Sequence, residues 1–327
     1  MNSSLPSASA VDVEEYKTRF VHYVDRYSNW GKWGPDDELG AANYITPDKV
    51  AGAARLVTKG RVFSLALPYD SSGPMTGEWG RTNPIHIMLQ DGGDIASGAQ
   101  KRFGMEYTDD AIYMPTQCGT QWDALAHIFH EGKMYNDRGT ELVTSSGAER
   151  NAITALTSRL VTRGVLLDVP RSQDVDALEV GTPITTEMLE EAEAVGGATV
   201  GEGDVVLIRT GRLGVVRQRG SWGKEYCGGP APGLAMDAAE FLCERRIAAV
   251  ATDTWGAEVQ PNECLELRQP LHNILIVYAG IVIGEMFDLE ELAADCTIDG
   301  RYEFMFSAPP LPITGAVGSP VNPLAIK

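Results

Sequence analysis

Five short apolar runs, at Gly164–Val169, Asp204–Thr210, Ile247–Thr252, Ile281–Phe287 and Tyr302–Ser307, constrain the fold of this chain more than any other feature. Each has the length of a buried strand, and helix-forming stretches at Glu187–Ala194 and Asp237–Arg246 fall among them. Strand runs alternating with helices predict an α/β fold. Upstream, Val13, Tyr16, Phe20, Val24 and Tyr27 recur at near-helical spacing, so residues 12–28 read as a helix. Thr46-Pro47-Asp48 is a helix start, with a Thr cap, Pro in the first turn and an acid at the positive end of the dipole. That helix is expected to stop at Gly60 and hand over to a strand at Val62–Leu67, while Asp237 is expected to cap the helix that follows it. The acidic run Glu187–Glu193 reads as a solvated helix face. With no repeat and no low-complexity linker, the chain divides into an N-terminal extension over residues 1–60 and one main domain over 61–327. The extension would hold a disordered Ser/Ala-rich start, helices and a Trp-Gly loop.

Composition narrows the function classes. A net charge of −18 opposes binding to nucleic acid or to anionic lipid. No apolar run approaches the ~20 residues needed to span a bilayer. The first ten residues lack both the basic start and the apolar core of a secretory signal. Five cysteines are scattered without Cys-x-x-Cys spacing, which predicts reduced thiols and a cytoplasmic location. Neither a dinucleotide-binding Gly-x-Gly-x-x-Gly nor a phosphate-binding loop is present.

Chemistry concentrates in Gln117-Cys118-Gly119-Thr120-Gln121-Trp122-Asp123-Ala124-Leu125-Ala126-His127. Gln117, Gln121, Asp123 and His127 all lie at odd positions, so an extended segment would present them on one face. A helix would also bring them together in part, as i,i+4 pairs. Cys118 has no activating base beside it and reads as a packed small residue, with a thiol nucleophile as the alternative. Of the five histidines, His272 precedes a run ending Ile281-Val-Ile-Gly-Glu285. A buried carboxylate at Glu285 needs a cation or hydrogen bonds. A plain core reading would make His272 a carbonyl partner and Glu285 half of a salt bridge. His86, beside Asn83-Pro84, is a candidate pocket residue, whereas His130 reads as structural. Trp30, Trp33, Trp122 and Trp255 could form an aromatic wall for a flat ligand, or simply be core.

The motif resembles the His-x-Gly-Thr-His-x-Asp-x-Pro-x-His of the cyclase family of metal-dependent hydrolases, which includes bacterial kynurenine formamidase and isatin hydrolase. Gly119-Thr120, Asp123 and His127 fall in register, Gln117 and Gln121 replace two histidines, and Leu125 replaces the proline. This Gln form is similar to the branch containing trans-dienelactone hydrolase. Gly203–Gly211, Ala251–Trp255 and Pro232-Gly233 extend the resemblance, which runs from about Trp30 to the end of the sequence. It implies a swivelling β/β/α domain assembled as a homodimer or larger. It also implies a metal site of Gln117, Gln121, Asp123, His272 and Glu285, with His127 as proton carrier. A donor set of oxygens with one imidazole suits Mn²⁺ or Zn²⁺, and the neutral glutamine carbonyls shift the balance toward a harder ion. The expected reaction is opening of a small lactone or cyclic amide by activated water. The alternatives are hydrolysis of a linear formamide and a catalytically silent relative that binds a small molecule.

Overall fold

The protein is described by a computed structural model covering residues 12–223 and 226–327. The expectation of a disordered start concerns residues outside these. Eleven strands matter for the site: β1 (Val62–Ser64), β2 (Ile85–Gln90), β3 (Asp109–Tyr113), β4 (Gln121–Asp123), β5 (Val161–Asp168), β6 (Val205–Arg209), β7 (Ala249–Thr252), β8 (Val282–Glu285), β9 (Glu303–Ser307), β10 (Gly318–Pro320) and β11 (Leu324–Ile326). Nine of them form one curled mixed sheet in the order β1-β11-β9-β5-β6-β7-β8-β4-β10, and β2 with β3 forms a separate hairpin. The centre, β5-β6-β7-β8, is parallel, and its Val, Leu, Ile and Ala side chains are buried apart from Val161 at the start of β5, as expected for strands covered on both faces. All five apolar runs are strands of this centre or of β9 beside it.

Helix α1 (Val13–Tyr27) is capped by Asp12 and buries Tyr16, Phe20, Tyr23 and Tyr27. It packs on the buried segment Asn273–Ala279, so its aromatic stripe joins the main core. Gly40 continues this docking. It adopts φ +56°, and a Cβ there would collide with the Gly280 carbonyl oxygen, which accepts from Ala41 N at 2.7 Å. Helix α2 (Pro47–Ala54) starts at Thr46, whose hydroxyl accepts from Lys49 N. Helix α3 (Thr186–Gly196) is capped by Thr185 and buries Leu189 and Ala192; Glu187, Glu190 and Glu191 face outward as expected, but Glu193 turns in to pair with Arg245 and to accept from Val200 N.

Three local expectations are corrected. Helix α2 ends at Ala54, not Gly60, because its last turn tightens to i→i+3 bonds and Arg301 takes the Leu56 carbonyl. Strand β1 ends at Ser64, not Leu67, because the next partner is Pro323, which has no N–H to continue the ladder. Asp237 does not cap helix α4 (Ala238–Glu244) with its side chain. Its backbone is already helical, at φ −70° and ψ −18°, and its Oδ1 is buried without a partner.

Candidate metal centre

Strand register assembles the centre. Glu285, at the end of β8, lies directly opposite Gln121 of β4, and Asp123 two residues on faces the same side. The motif is therefore extended only over Gln121–Asp123; a turn follows and returns His127 toward Asp123, with Nε2 3.7 Å from Oδ1. His272 arrives from a helical turn, Pro270–His272, that opens into a π-helix at Asn273–Ala279. Such widened turns recur at functional sites because they displace a side chain from regular helical register. One ligand atom each from Asp123, His272 and Glu285 lies within 4.8 Å of the others, and all three residues are buried.

This cluster fits a divalent cation. Two carboxylates and an imidazole are enclosed together, and Gln121 Oε1 is buried with no hydrogen-bond partner. Gln121 Nε2 donates to Glu285 Oε2 at 3.0 Å, so the side chain already belongs to the cluster. A carbonyl oxygen left unsatisfied beside two acids is a donor available to a metal. Gln117 is arranged differently. It is buried beside Gly318, and its Oε1 accepts from Thr116 Oγ1 at 2.8 Å, so its carbonyl is not offered to the cluster.

Glu258 supports the centre and has no counterpart among the expected residues. It is buried, and its Oε1 lies 2.6 Å from His272 Nδ1 while accepting from His272 N at 2.7 Å. Fixing Nδ1 in this way leaves Nε2 toward Glu285, 3.5 Å away. Burial works against a charged His272, but the bonds to Glu258 and Glu285 outweigh it and raise the ring to about 10. Burial also raises Asp123, with the nearby His127 opposing. A cation here would take the place of the proton that the cluster otherwise holds.

The centre opens into a cavity of about 420 Å³ lined by His127, His272, Asp123 and Glu285 together with Trp79, Arg81, Trp255 and Arg268. Trp79 stacks on Trp255 with ring centroids 5.3 Å apart and planes 23° apart. A larger cavity, about 950 Å³, lies elsewhere around Asp168, Arg209 and Glu290. The Arg209 guanidinium there is matched by both carboxylates, and none of the metal cluster lines that cavity.

The expected aromatic wall is corrected. Trp255 lines the cavity, but Trp122 points to the opposite side of β4, fully buried against Phe287 and Phe306, with Nε1 donating to the Ala308 carbonyl at 2.9 Å. Trp30 stacks on Tyr278 and donates to the Val277 carbonyl, away from the cavity. His86 is exposed on β2, 2.7 Å from Asp110. Cys118 is buried, and burial pushes its thiol up to about 11, which removes the nucleophilic alternative. His130 pairs with the Tyr278 hydroxyl and packs on Phe20, a structural role. Asp253, in the Ala251–Trp255 segment, is also structural: it accepts from Thr210 N, Thr210 Oγ1 and Gly211 N, joining the ends of β6 and β7.

The chain matches the family described as "Putative cyclase" over residues 44–259. Among solved structures, one described as a novel cyclase is 40% identical, with 93% of this chain and 99% of that chain covered and a TM-score of 0.85. Isatin hydrolase A from Ralstonia solanacearum shares the fold at 20% identity, covering 86% and 96% of the two chains, with a TM-score of 0.60. A structure described as a predicted metal-dependent hydrolase from Bacillus stearothermophilus is 19% identical over 82% and 98%, with a TM-score of 0.50. No curated protein sequence matches significantly. The nine-stranded mixed sheet, the swivelling β/β/α architecture and the match over most of the chain agree: this chain belongs to the cyclase family.

Proposed function

We propose that this protein is a metal-dependent hydrolase that opens a small cyclic ester, or a cyclic amide, by attack of water on the carbonyl. The observation that carries the reading is the buried Asp123, His272 and Glu285 cluster at the floor of an open cavity with His127 beside it. Membership of a family whose structural neighbours include isatin hydrolases and a predicted metal-dependent hydrolase supports it. A bound Mn²⁺ or Zn²⁺ would acidify a water and polarise the substrate carbonyl. Asp123, His272 and Glu285, with Gln121 through its amide oxygen, would hold that ion, and Glu258 keeps the His272 ring turned toward it.

His127 is the proton carrier. Its imidazole lines the cavity and is one-fifth exposed, so it can take a proton from water and return it to the leaving oxygen or nitrogen. The stacked Trp79 and Trp255 offer a flat surface against which a planar ring can lie. The glutamine form of the motif, similar to that of trans-dienelactone hydrolase, favours a lactone over a linear formamide.

The test is a panel of lactones, cyclic amides and aryl formamides assayed before and after chelation, with Mn²⁺ or Zn²⁺ then restored. Lactone or cyclic-amide opening that is lost on chelation and recovered with metal is the expected result. Turnover indifferent to chelation would refute the metal mechanism. Metal-independent binding without turnover would identify a silent small-molecule-binding relative.

A further inference from the structure

Two guanidinium groups reach the cavity without an anionic partner. Arg81 follows the turn at Glu78–Gly80, and its Cζ lies 5.6 Å from the Trp79 ring centroid, on the same aromatic stack that includes Trp255. Arg268 stands in the segment that leads into His272. Neither forms an ion pair or a side-chain hydrogen bond among the described residues. Other arginines of the fold are closely matched: Arg163 by Asp204 and Glu303, Arg209 by Asp168 and Glu290, Arg245 by Glu193. Arg81 is part-buried and Arg268 exposed, and both line one cavity of a chain carrying −18, so both can meet an anion that enters it.

The local charge count sharpens the point. A divalent cation would balance Asp123 and Glu285, leaving Glu78 as the other acid that lines the cavity, against Arg81 and Arg268. Glu258, behind His272, adds one more negative charge, so the site as a whole is close to neutral on a protein of −18, and Arg81 and Arg268 remain available to a small anion. Arg81 lines the same cavity as Asp123 and Glu285, so an anion bound to it would sit near the reacting carbonyl. A guanidinium offers a planar fork that matches a carboxylate with two parallel hydrogen bonds.

We infer that the substrate carries a carboxylate, held by Arg81 and Arg268, while its ring lies against Trp79 and Trp255. The inference rests on the hydrolase reading for the reaction, but the anion site itself stands on the geometry of the two arginines. It assigns a substrate class: lactones or cyclic amides bearing an acid group, in preference to their neutral counterparts.

The experiment is a calorimetric titration of the full chain, loaded with Mn²⁺, using benzoate and benzamide as planar probes of equal size. Wild type should bind benzoate about tenfold more tightly than benzamide, the worth of one charge-assisted hydrogen bond. In the R81Q/R268Q double variant that preference should vanish while benzamide binding stays unchanged, which also reports an intact pocket. R81K, retaining charge without the fork, should keep part of the preference. Equal binding of the two probes by wild type would overturn the inference. So would a benzoate preference that survives R81Q/R268Q, since the carboxylate would then be held by the cation alone. The two readings fail separately. Equal kcat/KM for neutral and carboxylated lactones would remove the carboxylate inference and leave the hydrolase. An arginine-dependent benzoate preference in a chain that opens no lactone would do the reverse.

Discussion

Replacing Glu258 with alanine should damage both stability and metal binding. Glu258 Oε1 serves two donors of the same buried residue, His272 N and His272 Nδ1, at 2.7 and 2.6 Å. In Glu258→Ala both donors are left in a site where His272 is only 3% exposed. At about 1–3 kcal/mol for each orphaned buried donor, the cost is about 2–6 kcal/mol. Water entering the space left by the side chain would place the loss at the lower end. The imidazole also loses the contact that orients it, and removal of such a partner typically weakens metal affinity about 10- to 100-fold. Glu258→Gln keeps a carbonyl acceptor and should fall between alanine and wild type in both respects. Urea denaturation of metal-free protein reads the first quantity, and competition against a chromophoric chelator reads the second. A Glu258→Ala protein that unfolds at the wild-type urea midpoint and holds its cation as tightly would refute the assignment of Glu258 as the positioning residue.

His127→Gln should lower kcat about 10²–10⁴-fold with metal content unchanged, because His127 carries protons and stands outside the Asp123, His272 and Glu285 cluster; loss of metal together with activity would instead make His127 a ligand. Asp237→Asn should stabilise the protein at pH 7.5, since burial, aided by the charge of Glu263, raises the Asp237 carboxyl from 3.8 to about 6. A folded-state value above the unfolded one means the protonated form favours folding below about pH 4 and that this contribution is lost as pH rises through 6. The gain from asparagine is then about 1 kcal/mol at pH 7.5, after allowing for solvent screening of a partly exposed group, and close to zero at pH 3.5. Thermal melts at the two pH values check it, and an equal effect at both would contradict the titration argument.

Much of the scaffold is legible along the sequence because its signals are local. The spacing of Tyr16, Phe20 and Tyr27, the Thr46-Pro47 start and the Val/Ile runs of β5 to β8 each identify an element without knowledge of its neighbours. Their ends are less legible, since α2 and β1 stop where a distant arginine and a proline on a neighbouring segment intervene. In the site, the motif and the His272–Glu285 pair point to the residues that β4 and the segment before β8 bring together. The burial of Trp122 was readable in principle, because a residue between Gln121 and Asp123 in a strand must face the other way. Glu258, Trp79, Arg81 and Arg268 were not readable. They sit in loops without periodicity, and they reach the cavity only through strand register and chain crossovers that no local pattern encodes.

The central claim is that Asp123, His272 and Glu285 hold one catalytic cation, and metal stoichiometry tests it most directly. Plasma mass spectrometry on protein purified without chelators, alongside Asp123→Ala checked for folding by circular dichroism, is the decisive comparison. The account predicts close to one Mn or Zn per chain in the wild type and a stoichiometric loss in the folded variant. Wild-type protein that holds no stoichiometric metal even after incubation with Mn²⁺ or Zn²⁺, or a variant that holds as much as the wild type, would contradict it.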